Sequence, residues 1–235
     1  MGSVFSFQQF DVMQLPTVHK VGTDSMVLGA LIEANQPKRI LDIGTGTGVL
    51  ALMLAQRFDC AEITAIEIAD EAAELALKNV TNSPFLERIT VVNQDLLQFS
   101  PSEKFDLIVS NPPYYATNMF SPDSSRTLAR HEINLPLDNL LSWSMNYLNT
   151  DGKVVLILPY DRTETIEKVA TRLGFYISEK IIIFGKPNHP SKVILSFTTN
   201  STDVVLSSLT IRDEIGKYTQ MYKDLTQDFH LKGVL

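Results

Sequence analysis

Between Lys38 and Ser110, short β-rich apolar runs alternate with amphipathic stretches of helical period, and nothing else in the chain restricts its fold as strongly. A helix between successive strands makes those strands parallel, and a parallel sheet must be covered on both faces. The spacing predicts strands at 39–43, 62–66, 89–93 and 105–109. A helix with Val49, Leu50, Met53 and Leu54 on one face follows the first strand, and a helix over 70–79, N-capped by Asp70, follows the second. The second half reads as a helix near 137–148, a strand at 153–158, a helix near 163–173 and two closing strands at 176–183 and 193–198. Only Gly185 to Pro190 separates that last pair, too little chain for a parallel crossover, so the final strand runs antiparallel. The expected fold is α/β: seven strands, mostly parallel with one reversed, and helices on both faces.

Length and composition agree with a single domain over 1–235, divided into an N-terminal segment 1–37, a core 38–199 and a tail 205–235. The tail carries Tyr218, Met221, Tyr222, Leu225, Phe229 and Leu231, enough apolar side chains to dock back onto the core. Apolar runs such as Val154 to Leu158 fall far short of the roughly 18 residues that a membrane-spanning helix needs. The N-terminus shows no basic segment followed by an apolar run, so a cytoplasmic location is expected. The lone Cys60 reads as an inert core or boundary thiol. A net charge of −7 and a pI near 5.1 disfavour non-specific grip on a phosphate backbone, although a local basic face can outweigh the sum. Two such groups exist: Arg126, Arg130 and His131, and Lys180, Lys186, His189 and Lys192 around a Pro-rich turn.

The segment Asp42-Ile43-Gly44-Thr45-Gly46-Thr47-Gly48 joins the first strand to its helix. A glycine-rich turn there lets backbone approach a ligand and leaves helix N-terminal N–H groups facing it. Gly46 to Ala51 also satisfies the dinucleotide pattern G-x-G-x-x-A, with Glu67 where a ribose-binding acid would sit, so a nicotinamide or flavin enzyme competes. Against it, Asp42 puts a carboxylate beside any phosphate, whereas S-adenosylmethionine is cationic at sulfur and has none. Asp42 can orient the loop or meet the methionine ammonium, and Asp95 after the third strand can accept from an adenine amine. Asp42, Glu67 and Asp95 thus fall at successive carboxyl ends of strands, where doubly wound sheets bind ligands.

Asn111-Pro112-Pro113-Tyr114 follows the fourth strand directly. Two consecutive prolines stiffen the backbone and remove two N–H donors, leaving a platform of acceptors. The Asn111 side-chain carbonyl and the Pro112 backbone carbonyl can take the two hydrogens of an –NH₂ group and turn its lone pair toward a methyl donor. Tyr114, with Tyr115 or Phe120, can stack on a base turned out of its strand.

With its reversed strand, the expected sheet resembles the class I methyltransferase fold, and the Asn-Pro-Pro-Tyr motif resembles that of the amino-methyltransferases. Phe5 to Phe10, His19-Lys20-Val21-Gly22-Thr23-Asp24, Leu41 to Gly48 with Leu52 to Arg57, Ser110 to Tyr114 and Leu225 to Leu231 together look like the bacterial tRNA1(Val) (adenine-37-N6)-methyltransferase family. The resemblance implies S-adenosylmethionine as cofactor and N6-methylation of the adenosine 3′ of the anticodon in a valine tRNA. It also implies that Gly22, Thr23 and Asp24 help enclose the cofactor's methionine end; on their own, residues 21–25 read as a turn and N-cap before a helix starting near Met26. Alternatives within the same chemistry are adenine in ribosomal RNA or DNA and the glutamine amide of a release factor. Outside it stands a catalytically silent S-adenosylmethionine-binding scaffold.

Overall fold

Alternate residues of the central strands pack into two separate cores, one on each face of a single sheet. In the computed structural model, which describes residues 2–112, 136–231 and 233, the sheet is built from β3 (Arg39–Ile43), β4 (Glu62–Glu67), β5 (Ile89–Asn93), β6 (Phe105–Ser110), β7 (Leu148–Pro159), β8 (Tyr176–Lys186), β9 (His189–Thr198) and β10 (Val205–Thr210). Its order is β10-β8-β9-β7-β6-β3-β4-β5. β9 runs antiparallel to both β7 and β8, and the other pairings are parallel. All seven expected strands are present, and an eighth, β10, takes the first six residues of what reads as a tail. A hairpin of β1 (Ser3–Ser6) and β2 (Asp11–Gln14) stands apart from the sheet.

Ile40, Ile63, Leu107, Val109, Val155 and Ile157 face helices α1 (Thr23–Leu31), α2 (Val49–Arg57) and α3 (Asp70–Thr81). Leu41, Ile43, Ile108, Leu156 and Leu158 face α4 (Leu137–Tyr147) and α5 (Thr163–Arg172). The period-2 alternation of each strand thus serves both cores. α2 is buried from Val49 through Ala55 rather than along one stripe, because α1 lies over it. A Cβ on Gly29 of α1 would come within 2.8 Å of Met53 Sδ and 3.2 Å of Met53 Cβ, so a side chain there would force Met53 of α2 to shift.

Three local expectations are corrected. α1 starts at Thr23, three residues before Met26, with extended Gly22 as its N-cap and Asp24 in the first turn, where a negative charge is favoured. Ala69, not Asp70, caps α3; its N–H is taken by Glu67 Oε1 at 3.1 Å, so Asp70 becomes the first helical residue. Cys60 is exposed rather than core, and the neighbouring Asp59 raises its thiol pKa. The tail docks as expected: α6 (Gln220–Thr226) and Phe229 bury Tyr222 and Phe229 against the first core, and Phe7 bridges to His230. Among the described residues, no helix is long and apolar enough to cross a membrane.

Candidate functional site

The carboxyl ends of β6, β3, β4 and β5 open onto a cleft of about 610 Å³. Asp42 ends toward it from β3, Glu67 from the last position of β4 and Asp95 from just past β5, so the three acids stand on neighbouring strands. Asp42 is 1% exposed; its Oδ2 accepts from Thr45 Oγ1 at 2.6 Å, and the Ala51 N–H in the first turn of α2 also donates to it. Burial pushes its carboxyl up to about 7, partly offset by the Thr45 bond and reinforced by the charge of Glu67.

The glycine loop turns through left-handed backbone at Gly44 (φ 70°) and Gly46 (φ 58°). No atom lies within 4 Å of where a Cβ would stand at either, so backbone conformation, not space, demands glycine there. The loop's N–H groups do not all face a ligand as expected. Gly44 and Thr45 donate to the Ile66 carbonyl at 2.9 and 3.1 Å, Gly46 to Glu67 Oε2 at 2.9 Å, and Gly48 to the Thr45 carbonyl at 2.9 Å. A pyrophosphate would have to displace a carboxylate to reach Gly46, whereas a cation without phosphates meets favourable charge. The donor set therefore fits S-adenosylmethionine and not a dinucleotide. Asp95 Oδ1 accepts from the Leu97 N–H at 2.9 Å, which fixes the orientation of the carboxylate in the cleft wall.

On the other side of Asp42, Ser110 Oγ donates to the Ile43 carbonyl at 2.8 Å and locks the end of β6 to the end of β3. Asn111 Nδ2 donates to Ser25 Oγ of α1 at 3.0 Å, and buried Pro112 continues the wall. Pro113, Tyr114, Tyr115 and Phe120 lie outside the described residues, as do Arg126, Arg130 and His131.

Residues 10–159 match the family model of the methyltransferase small domain. The chain is 38% identical over 229 residues to the tRNA1(Val) (adenine(37)-N6)-methyltransferase of Bacteroides thetaiotaomicron, covering 97% of each. The chain belongs to this methyltransferase family. A relative of the same name from Flavobacteriaceae bacterium strain 3519-10 is 37% identical, covering 96% of this chain and 97% of its own. In fold, the chain is similar to a predicted O-methyltransferase from Agrobacterium tumefaciens, with TM-score 0.68, 19% identity and coverage of 88% and 96%. A methyltransferase from Pyrococcus furiosus gives 0.59, 23%, 82% and 90%.

In this S-adenosylmethionine-dependent methyltransferase, Asp24, Asp42, Gly44, Gly46, Glu67, Asp95, Asn111 and Pro112 all line the cleft. Gly22, Thr23 and Gly48 do not: Gly22 caps α1, Thr23 is its exposed first residue, and Gly48 caps α2 against Ala76 of α3. Lys180 leaves the expected basic cluster, since it pairs mid-strand with Glu167 at 2.9 Å. Lys186 and His189 face one another across the β8–β9 turn, and Lys192 reaches the cleft. Sequence reasoning missed Ser25 and Asn79. Asn79 Nδ2 donates to the Thr47 carbonyl at 2.8 Å and to the Met13 carbonyl at 3.0 Å, bracing the glycine loop against β2. Its signal was a polar residue on the otherwise apolar face of α3.

The Asp42 carboxyl gives a pH prediction. Its folded-state value of about 7 lies above that of an unfolded aspartate, so the native chain binds the proton more tightly and this group's stability contribution falls as pH rises toward 7. A bound cation favours the ionised form, so S-adenosylmethionine affinity should rise with pH, by up to about tenfold per unit below that value. Titration calorimetry in buffers of different ionisation enthalpy should register proton release, and Asp42→Asn should abolish both effects. A flat profile in the unaltered protein would contradict this role for Asp42.

Proposed function

We propose that the enzyme transfers a methyl group from S-adenosylmethionine to N6 of adenosine 37, immediately 3′ of the anticodon, in tRNA1(Val). The observation that carries the reading is the position of Asn111 and Pro112 at the end of β6, beside the row of strand-end acids on β3, β4 and β5. The family relationship over 97% of both chains supports the choice of substrate.

Asp42, Glu67 and Asp95 hold S-adenosylmethionine, which when bound supplies a methyl on a cationic sulfur. The adenine amine is a poor nucleophile because its lone pair is delocalised into the ring. The Nδ2 group of Asn111 donates to Ser25 Oγ, which supports the side-chain carbonyl as the end offered to the substrate. With the Pro112 carbonyl it accepts the two N6 hydrogens and localises the lone pair for in-line attack. No strong base is needed, because the nitrogen becomes acidic as it gains the methyl and its proton then leaves to solvent. Lys186 and Lys192, at the ligand end of the β8–β9 hairpin with His189 between them, give the acidic chain a local positive edge for RNA, and Arg126 and Arg130 extend the candidate set.

Nucleoside mass spectrometry of valine tRNA from a strain lacking the gene tests the reading. N6-methyladenosine should disappear at position 37 and return with the gene; its persistence would refute the assignment.

A further inference from the structure

Two consecutive residues of α1 reach two different parts of the sheet. Ser25 meets Asn111 after β6, and Asp24 Oδ2 accepts from Lys192 Nζ of β9 at 2.5 Å, across 168 residues of sequence. The ion pair is partly sheltered, with the Lys192 side chain 22% and the Asp24 side chain 32% exposed, and both residues line the cleft. Its place in the sheet matters more than its strength. Lys192 is in register with Pro159 at the carboxyl end of β7, and β7 and β9 lie on the far side of β6 from β3, β4 and β5. Asp42, Glu67 and Asp95 occupy that other half, so the pair belongs to the half in which an acceptor base would sit. Among the described residues the cleft wall is otherwise rich in carboxylates, among them Glu71, while its other basic side chains, His19 and Lys20, come from the segment before α1.

A nucleotide whose base enters beside Asn111 brings its own phosphodiester to the rim, and an ammonium fixed there would meet it. We infer that Lys192 contacts a backbone phosphate of the target nucleotide, and that Asp24 is a positioning residue for Lys192 rather than a wall of the cofactor site. This deepens the tRNA reading above and rests on it. A four-carbon lysine stem is flexible, and holding its head group against a helix carboxylate removes part of the ordering cost before RNA arrives.

The test is the salt dependence of binding to unmodified tRNA1(Val), with S-adenosylhomocysteine titrations on the same samples. Each lost phosphate contact lowers the magnitude of the slope of log affinity against log salt by about 0.7–0.9. Lys192→Ala should show that drop and a raised KM for tRNA, and Lys192→Arg should restore the slope. Asp24→Asn should weaken tRNA binding several-fold while S-adenosylhomocysteine affinity stays within about twofold, which also reports that the variants are folded. Loss of S-adenosylhomocysteine binding by Asp24→Asn with tRNA binding unchanged would overturn the inference, as would an unaltered slope in Lys192→Ala. If the unaltered protein methylates the tRNA and only these variants disagree, the inference alone fails; if it binds S-adenosylhomocysteine but no tRNA, the substrate reading fails with it.

Discussion

Replacing Asn111 with alanine should lower turnover by about two orders of magnitude or more while leaving S-adenosylhomocysteine affinity nearly intact. The expectation follows from where the residue stands. Asn111 lies across Asp42 from Glu67 and Asp95 and donates to Ser25 Oγ, while the glycine loop is held by its own bonds to Ile66, Glu67 and Asp42, which stay in place when Asn111 is removed. What disappears is an acceptor whose contact with the amine strengthens as the nitrogen gains positive charge, and losing one such preorganised contact typically costs 10²–10³ in rate. Single-turnover measurements on tRNA would separate this effect on chemistry from one on binding. Unchanged turnover would end the role given to Asn111.

Glu67→Ala should act on the opposite half of the site, weakening S-adenosylhomocysteine binding by roughly 10- to 100-fold, or about 1.5–3 kcal/mol. Glu67 is 8% exposed, and its two oxygens accept from Gly46 N–H at 2.9 Å and Ala69 N–H at 3.1 Å, so one carboxylate fastens the glycine loop to the start of α3. Truncation leaves both donors without that partner and removes one of the acids proposed to hold S-adenosylmethionine. Glu67→Gln keeps one acceptor and should lie between the two. Calorimetry beside a melting curve distinguishes loss of the site from loss of the fold; affinity unchanged in Glu67→Ala would assign this carboxylate to structure alone.

The parts of the fold legible in the sequence are those that depend on near neighbours. β3 and β5 begin and end where their apolar runs do, and the reversal of β9 follows from the shortness of one turn. β10 was invisible because it is an edge strand held through backbone pairing with β8. Its sequence Val205-Leu206-Ser207-Ser208-Leu209-Thr210 does not alternate apolar and polar residues, and Val205 and Leu206 stay 60% and 72% exposed. The site divides in the same way. Asp42, Glu67, Asp95 and Asn111 sit at strand ends, where position along the chain already implies position in the cleft. Ser25, Asn79 and the Asp24–Lys192 pair act across 86, 66 and 168 residues, and only tertiary packing brings them to their partners.

Gln8 Nε2 donates to the carbonyls of Gln227 and His230, 219 and 222 residues further on, and the docked tail shares a core with α1. The helix that supplies Asp24 and Ser25 is therefore made long before part of its apolar surroundings. That layer cannot close until the α6 segment has been made, so the packing around α1 waits on sequence far downstream of it. A protein interrupted before Gln220 would carry every strand of the sheet and every described cleft residue while lacking the helix and aromatic side chains that close this layer over α1.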